Sequence, residues 1–332
     1  MPQITIGVLD LIGNTPLTRI AKLESPGSAQ VLVKQENLNP SGSVKDRVAL
    51  SMVRGAEERG ILKPQAVIVE PSAGNMGVSL SMIAAVKDYS VHVVMPESVP
   101  LERQRLVTRY GATIHLTPSD MGMKGAIDAA RRMVEANSEY VRLDQFTESA
   151  NVDAHRHGTG PEILNAVGTT IDGFVSAVGT GGTLTGVSEV LKFANPLTLC
   201  VAVEPATSPI LSEGRAGDHG IVGIGADFVP PLLDWVLIDE IQLNDSEGKL
   251  YTSILKYCSI SVIVNETEKK PTTYRRETTK KPIAAYGYVW FMQNEVAVQS
   301  FTKEFVFQSA LTGKRDLTLP ESCEVELEEP KP

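Results

Sequence analysis

Hydrophobic and polar positions follow two alternating patterns along most of the chain. Behind Lys45, apolar residues recur at helical spacing as far as Gly60, which predicts an amphipathic helix. From residue 66 onward, short apolar runs predict strands, and longer stretches between them predict helices. The predicted strands lie at 31–34, 66–70, 91–95, 112–116, 140–143, 173–178 and 199–203, and the helices at 78–86, 101–110, 122–136 and 184–193.

Strands that alternate with helices predict an α/β protein whose parallel sheets are covered by helices on both faces. A chain of 332 residues is long for a single core, so two domains or subdomains are expected. No internal repeat is apparent. The pattern changes after Val264, because the segment 265–281 carries nine charges in 17 residues and little apolar periodicity. We predict that this segment is exposed or disordered.

Composition excludes several classes of function. The net charge of −9 argues against nucleic-acid binding. Cys200, Cys258 and Cys323 are far apart and form neither a metal-binding spacing nor a disulfide framework, which suits a reducing compartment. There is no signal peptide pattern at the N-terminus and no apolar window long enough to span a bilayer. We therefore expect a cytoplasmic protein without membrane or nucleic-acid partners.

The sequence NPSGSVKDR, residues 39–47, places Lys45 at the start of the first predicted helix. A lysine amine does covalent chemistry only when it is neutral, which burial or a nearby cation allows. The use that fits best is an imine with pyridoxal phosphate, an aldehyde cofactor that serves as an electron sink. The alternative is a solvated lysine in the first turn of a helix.

Two glycine-containing loops lie between a predicted strand and a predicted helix. The first, Pro71–Gly77 (PSAGNMG), is called the asparagine loop here, and the second, Gly179–Thr183 (GTGGT), the glycine loop. Amides of the glycine loop and the following helix N-terminus are suited to a phosphate, although a tight turn uses the same residues. Amides of the asparagine loop are suited to a carboxylate, and Asn75 to a phenolate oxygen. Alternatively, Asn75 is a left-handed turn residue.

Other candidate motifs give weaker evidence for a function. The glycine loop lacks the lysine of a nucleoside-triphosphate loop, and no G-x-G-x-x-G follows an early strand. His155 and His157 have no acidic or cysteine partners at metal-binding spacing, so we predict structural or surface histidines. The serines form no arrangement with histidine and an acid that is typical of hydrolases.

Taken in order, several motifs resemble those of the cysteine synthase and cystathionine β-synthase family of pyridoxal-phosphate enzymes. They lie between about residue 12 and about residue 239 and read IGNTPL, NPSGSVKDR, PSAGNMG, MPES followed by ER, GMKGAI, DQF, TGPEI, VGTGGTLTGV, VAVEP and GIGADF. The resemblance implies the pyridoxal-phosphate fold type II, which is tryptophan synthase β-like, with two three-layer subdomains and mostly parallel sheets. Residues 1–40 and 144–264 would form the larger domain, 41–143 the smaller mobile one, and 265–332 an atypical, partly disordered C-terminal segment.

The resemblance also implies a role for each matching residue. Lys45 would be the Schiff-base lysine and the general base, and Asn75 would bind the oxygen of the cofactor ring. The cofactor phosphate would be held by Gly179, Thr180, Gly181, Gly182 and Thr183. The substrate α-carboxylate would lie among Ser72, Ala73, Gly74 and Met76, with Gln145 reaching toward it. Gly223 would lie in the wall of the active site.

The implied reaction is β-replacement on an O-activated serine, in which O-acetylserine and sulfide, or a thiol, give cysteine or a relative. The implied assembly is a homodimer. Three alternatives remain open on the sequence. They are a serine or threonine dehydratase, a catalytically impaired sensor or regulator, and an inactive product that binds no cofactor.

Three departures from the family pattern affect these expectations. Ala73 and Met76 replace residues that usually carry hydroxyl groups, and Met76 is expected to add apolar bulk at the site. Asp227 adds a negative charge in GIGADF, where a glycine is usual. The family's GISSGA and PSSGERY segments, the second of which supplies the serine facing the pyridine nitrogen, are not recognisable. The larger domain is therefore expected to lack elements that close its core.

Overall fold

A computed structural model describes residues 7–21, 29–168 and 171–244, and the backbone of three later strands. The helices are α1 (Lys45–Glu58), α2 (Asn75–Lys87), α3 (Leu101–Arg109), α4 (Gly122–Ala136), α5 (Ala150–Ala154), α6 (Gly160–Val167), α7 (Gly182–Ala194) and α8 (Ile210–Glu213). The strands are β1 (Leu17–Arg19), β2 (Gln30–Lys34), β3 (Val67–Pro71), β4 (Ser90–Pro96), β5 (Thr113–Thr117), β6 (Tyr140–Val141), β7 (Gly173–Ala177), β8 (Leu199–Pro205), β9 (Glu240–Asn244), β10 (Ser261–Asn265), β11 (Ile283–Ala285) and β12 (Phe305–Phe307).

A four-stranded, fully parallel sheet forms the first layered unit, in the order β5-β4-β3-β6. Alternate residues of its strands point to opposite faces. On one face Val69 and Val94 pack against Ala126 and Ala130 of α4. The other face packs against α1 and α2, whose buried apolar residues share one core with β3 and β4. The unit therefore has three layers.

A six-stranded sheet forms the second unit, in the order β1-β2-β10-β7-β8-β9. Strands β7, β8 and β9 are parallel, and β1, β2 and β10 pair in antiparallel fashion. The core on one face contains Phe174 of β7 and Ala202 of β8 with Leu184 and Leu191 of α7. The fold is thus the α/β architecture expected for fold type II, and among the residues that the structure describes five of the nine strand pairs are parallel.

The predicted elements agree with the structure except at a few places. Helices α2 and α7 begin earlier than predicted, because the last residues of the asparagine loop and of the glycine loop are already helical. No helix was predicted at 150–167, where α5, a π-helical turn at His155–Thr159 and α6 form one continuous stretch. Gly158, Gly160 and Pro161 resemble helix breakers, but Pro161 lies in the first turn of α6, where proline is tolerated.

Strand β10 was not predicted either. Its backbone fills the position between β2 and β7, so the six-stranded sheet is continuous there. Apart from Asn265, the segment predicted to be exposed or disordered lies outside the described residues, as do Cys258 and Cys323. Among the described residues, no helix combines the length and the apolar character that crossing a membrane requires.

Candidate active site

One cleft between the two units contains Lys45 together with the glycine loop. The cleft is lined by Lys45, Ala177, Gly179, Thr180, Gly181, Thr183, Leu184, Gly223 and Ile224. Most of the residues predicted to hold the cofactor phosphate therefore lie beside the predicted Schiff-base lysine. The asparagine loop and Gln145 are not among the residues that line this cleft.

Lys45 is the first residue of α1, as the sequence predicts. The preceding loop is held by Asp46, whose carboxylate accepts hydrogen bonds from the backbone amide and the hydroxyl of Ser41. Burial lowers the pKa of the Lys45 amine from 10.5 to about 8. A substantial fraction of the amine is therefore neutral near pH 8, which the alternative of a solvated first-turn lysine does not provide.

A buried ion network fixes the start of α1 to the other unit. Arg47 lies two residues after Lys45, and its Nε is 2.7 Å from an oxygen of Glu36 while Nη1 is 2.6 Å from an oxygen of Glu162. Lys34 also pairs with Glu162. Burial raises the pKa of Glu162, but the hydrogen bonds and charge of Arg47, with bonds from Lys34 and Asn14, outweigh it and lower the pKa to about 2, so the carboxylate is charged at neutral pH. The position of Lys45 is set by these neighbours.

The glycine loop fits tightly against the loop that contains Gly223. A Cβ atom on Gly179 would lie 2.3 Å from the carbonyl oxygen of Gly223, which no side chain can tolerate. Gly181 has φ of +86°, in the left-handed region that favours glycine. Helix α7 begins at Gly182, so its free first-turn amides are oriented toward the loop.

Both hydroxyl groups of the glycine loop have protein partners. Thr180 Oγ1 accepts a hydrogen bond of 2.9 Å from Asn151 Nδ2, and Thr183 Oγ1 lies 3.1 Å from His155 Nε2. Burial lowers the pKa of His155 well below its usual value, and the nearby Arg47 cation adds to this effect. His155 is therefore neutral, and one of its ring nitrogens is a donor and the other an acceptor.

These partners were missed at the sequence level. His155 was predicted to be structural or at the surface, and it is fully buried beside the glycine loop, while His157 is exposed. Asn151 lies between the DQF and TGPEI motifs, and no local sequence pattern marks its contact with the glycine loop. The described residues contain no group of three or more potential metal ligands.

The asparagine loop is organised by Ser72. Its buried hydroxyl accepts hydrogen bonds from the amides of Gly74, at 3.2 Å, and Gly77, at 3.0 Å. From outside the loop, Arg103 donates to the carbonyl of Ala73 at 2.9 Å. Ser72 thus supports the loop from within, and its hydroxyl oxygen already has two donors. Its predicted part in substrate binding stays a prediction.

Asn75 is the first residue of α2 and is not among the residues with positive φ. The alternative of a left-handed turn residue is therefore wrong. Within the described part of the chain, no hydrogen bond is formed by the Asn75 side-chain amide, which leaves it free for a ligand.

Met76 does not add apolar surface to the site. Its side chain is 2% exposed and packs in the core shared by α1, α2 and the four-stranded sheet. The expected bulk at the site is a wrong prediction, because at this helix position the side chain points into the core and only the backbone amide faces the loop. Ala73 is partly buried at the edge of that core.

Gln145 lies in a turn that reaches both units. Its amide donates to Glu70 at 3.2 Å, and its carbonyl accepts a hydrogen bond of 2.7 Å from Asn151. The neighbouring Phe146 packs edge-on against Phe228, with ring centroids 5.0 Å apart. The GIGADF loop, which also contains the exposed Asp227, is thereby joined to the DQF turn.

Comparison with known proteins places these features in a family. The family described as pyridoxal-phosphate dependent enzyme matches residues 8–249. A probable cysteine synthase of Bacillus subtilis is 44% identical over 257 residues, covering 76% of this chain and 82% of that protein. A solved O-ureido-L-serine synthase has a TM-score of 0.71 and 40% identity, covering 73% of this chain and 77% of its own. A cysteine synthase from Entamoeba histolytica has a TM-score of 0.72 and 37% identity, covering 77% and 78%.

Proposed function

This chain belongs to the family of pyridoxal-phosphate-dependent enzymes that includes the cysteine synthases, and we propose that it catalyses β-replacement on O-acetylserine. In this reaction the Cβ–O bond to acetate breaks and a Cβ–S bond to sulfide forms, giving cysteine. The cysteine synthases among its relatives support the substrate. The observation that carries the proposal is the desolvated Lys45 amine in one cleft with the glycine loop.

The residues present fit pyridoxal phosphate. The cofactor has an aldehyde that a neutral amine attacks and a phosphate that helix N-terminal amides bind. Lys45 offers the amine, and Gly179, Thr180, Gly181, Gly182 and Thr183 offer the phosphate site. Close contact between Gly179 and Gly223 keeps side chains out of this position. We assign Asn75 to the oxygen of the cofactor ring, because its side-chain amide is free at the start of α2.

When bound, the cofactor supplies an electron sink for a carbanion at the substrate Cα. Lys45 is the group that takes the Cα proton, because burial lowers its pKa to about 8 and thereby makes a fraction of the amine neutral at neutral pH. The network of Arg47 with Glu36 and Glu162 keeps the start of α1 in place during this step.

The substrate carboxylate is assigned to the asparagine loop. Backbone amides of Ala73, Asn75 and Met76 remain for an anion, since those of Gly74 and Gly77 bind Ser72. The N-terminal dipole of α2 adds favourable charge. Gln145 contributes its side-chain amide, which bonds to none of the residues that the structure describes.

We propose that the four-stranded unit, residues 41–143, is the smaller mobile domain, and that residues 1–40 and 144–264 form the larger one, with 265–332 atypical. The four-stranded sheet takes all its strands from 41–143, and the six-stranded sheet takes its strands from 17–34 and 173–265, which supports the division except for the last residue of β10. We further propose a cytoplasmic homodimer. The buried free thiol of Cys200 is consistent with a reducing compartment.

The first experiment tests the role of Lys45. The protein is loaded with pyridoxal phosphate, reduced with borohydride, digested and mapped by mass spectrometry. The cofactor mass is expected on the peptide containing Lys45 and is expected to disappear in Lys45→Ala. Lys87 pairs with Glu57 at the C-terminal end of α1, the opposite end from Lys45, so Lys87→Ala is a matched control. Label on another lysine, or none in the loaded protein, contradicts the assignment.

The second experiment tests the reaction. Purified protein is supplied with O-acetylserine, with and without sulfide, and both cysteine and keto acid are measured. Sulfide-dependent cysteine is the expected product. Keto acid without cysteine would instead support the dehydratase, and a cofactor-loaded protein without either product would support a sensor.

A further inference from the structure

The peptide groups around Gln145 are held by one buried carboxylate. Glu70, the penultimate residue of β3, is 1% exposed and accepts the amides of Asp144, at 3.1 Å, and Gln145, at 3.2 Å. Asp144 has φ of +55°, a left-handed conformation that turns two successive amides toward one acceptor. Pro71 and the asparagine loop follow Glu70 directly, so the same carboxylate fixes the start of that loop.

The other side of the Gln145 backbone is held by Asn151. The side-chain nitrogen of Asn151 donates to the Gln145 carbonyl, at 2.7 Å, and to Thr180 of the glycine loop, at 2.9 Å. Asn151 is completely buried. Hydrogen bonds therefore run from Glu70, the residue directly before the asparagine loop, through Gln145 and Asn151 to the glycine loop.

We propose that Glu70 is a positioning residue that holds Gln145 and the asparagine loop at a fixed spacing from the glycine loop. Together with Asn151 it sets the distance between the substrate carboxylate site and the cofactor phosphate site. This inference rests on the proposed function for the identity of the two sites. The hydrogen-bond chain itself is independent of any activity.

The chemistry of Glu70 gives the proposal a pH signature. Burial raises the pKa of Glu70 to about 7, with a smaller contribution in the same direction from Asp144, while the two amides and Arg142 oppose the shift. When Glu70 is protonated, one oxygen carries a hydrogen and no longer accepts an amide freely. Above pH 7 the Glu70 carboxylate thus accepts both the Asp144 and the Gln145 amide. As the pH falls through 7, one of these two hydrogen bonds is lost.

The molecule contains a matched control for Glu70. Strand β8 ends in the same Val-Glu-Pro sequence as β3, and Glu204 is also 1% exposed. Its carboxylate accepts the amides of Leu211, at 2.6 Å, and Ser212, at 2.9 Å. Glu204→Gln therefore removes the same type of carboxylate from a second strand end, outside the chain from Gln145 to Thr180.

Hydrogen exchange measured by mass spectrometry tests whether Glu70 holds the Asp144 and Gln145 amides, and it does not depend on enzyme activity. In Glu70→Gln, exchange in peptides covering 142–147 is expected to accelerate about tenfold, because an NH2 group, which donates, replaces one of the two oxygens that each accept an amide. In Glu204→Gln, acceleration is expected only around 210–213. Unchanged exchange at 142–147 in a folded Glu70→Gln protein overturns the proposal. Should that variant not fold, the wild-type protein decides, since protection at 142–147 must fall between pH 8 and pH 6 relative to intrinsic exchange.

Substrate kinetics test the positioning role. In Glu70→Gln the KM for O-acetylserine is expected to rise about tenfold, with kcat changed less, and the KM is expected to lose its dependence on an ionisation near pH 7. Glu204→Gln is expected to keep the wild-type KM profile. Equal effects of the two substitutions would show a merely structural role and overturn the proposal. Absence of cysteine formation in the wild-type protein counts against the proposed function alone, because the exchange result stands by itself.

Discussion

The asparagine loop and the glycine loop are the same kind of element, yet they are anchored differently. Each follows a parallel strand and leads into a helix of 13 residues. Around the glycine loop, Asn151 and His155 bind the two threonine hydroxyls, and Gly223 touches the backbone. The asparagine loop relies mainly on its own Ser72 and on one bond from Arg103 to the Ala73 carbonyl.

This difference matches what each loop is proposed to bind. A cofactor phosphate stays in place through every turnover, so a site with preformed contacts costs no reorganisation. A substrate enters and leaves, so its loop has to tolerate small movements. The free Asn75 side chain and the open space around Gly74 are consistent with such a loop. Relatives that differ in substrate are then expected to differ more in the asparagine loop than in the glycine loop.

The largest effect is expected from Gly179→Ala, which adds one methyl group to the glycine loop. Gly179→Ala places a Cβ 2.3 Å from the Gly223 oxygen, so the glycine loop must shift. We expect pyridoxal phosphate affinity to fall by at least about 100-fold and the free energy of unfolding by about 1–3 kcal/mol. Fluorescence titration with the cofactor and urea denaturation measure the two quantities.

Gly74→Ala is the matched control for this prediction. Its Cβ would meet nothing within 4 Å, and its φ of −127° suits any residue. Cofactor affinity is expected to change less than about threefold, as for a surface substitution. Equal losses in the two variants would show that the loops are equally constrained, which contradicts the comparison.

Much of this contrast was not accessible from the sequence. Periodicity correctly predicted strand β3 and helix α4, because their neighbours are close in sequence and each buries one face. The contacts of Asn151 and His155 with the glycine loop join residues 29 and 28 positions apart, and no local pattern marks them. Strand β10 pairs with strands from two distant parts of the chain, which propensity does not reveal.

The sequence predicted which residues form the site better than it predicted where their side chains point. The order of the motifs predicted that Lys45 and the glycine loop bind the same cofactor, and the structure places them in one cleft. The direction of the Met76 side chain depends on where α2 begins, which the sequence placed three residues too late. The Val-Glu-Pro endings of β3 and β8 were visible in the sequence, but their shared role depends on which amides each carboxylate meets.

The second-largest effect is expected from Met76→Thr, which restores the usual hydroxyl. The Met76 side chain lies in the core, so the change leaves a cavity and buries a hydroxyl. We expect the free energy of unfolding to fall by about 2–4 kcal/mol without tighter substrate binding. Tighter binding of O-acetylserine, measured by titration, would show that the side chain can face the site after all.

A smaller effect is expected from Ser72→Ala. This change removes the hydroxyl that accepts the Gly74 and Gly77 amides, which resembles the loss of a helix cap. The free energy of unfolding should fall by about 1 kcal/mol. Ser81 serves as a control, because its hydroxyl bonds back to the Gly77 carbonyl within α2 rather than to loop amides. Faster hydrogen exchange across 72–77 is expected in Ser72→Ala and not in Ser81→Ala.

The smallest effect is expected from Ala73→Ser, and it separates the two loops most directly. Ala73 is partly buried at the edge of the core, and its carbonyl is fixed by Arg103, so a small hydroxyl is tolerated there. If the loop binds the substrate carboxylate, one added donor should lower the Kd for O-acetylserine about fivefold, the effect of one hydrogen bond of about 1 kcal/mol. Affinity for pyridoxal phosphate should stay unchanged, because the added hydroxyl alters none of the contacts of Asn151, His155 and Gly223 with the glycine loop. A change in cofactor affinity without one in substrate affinity would reverse the assignment of the two loops.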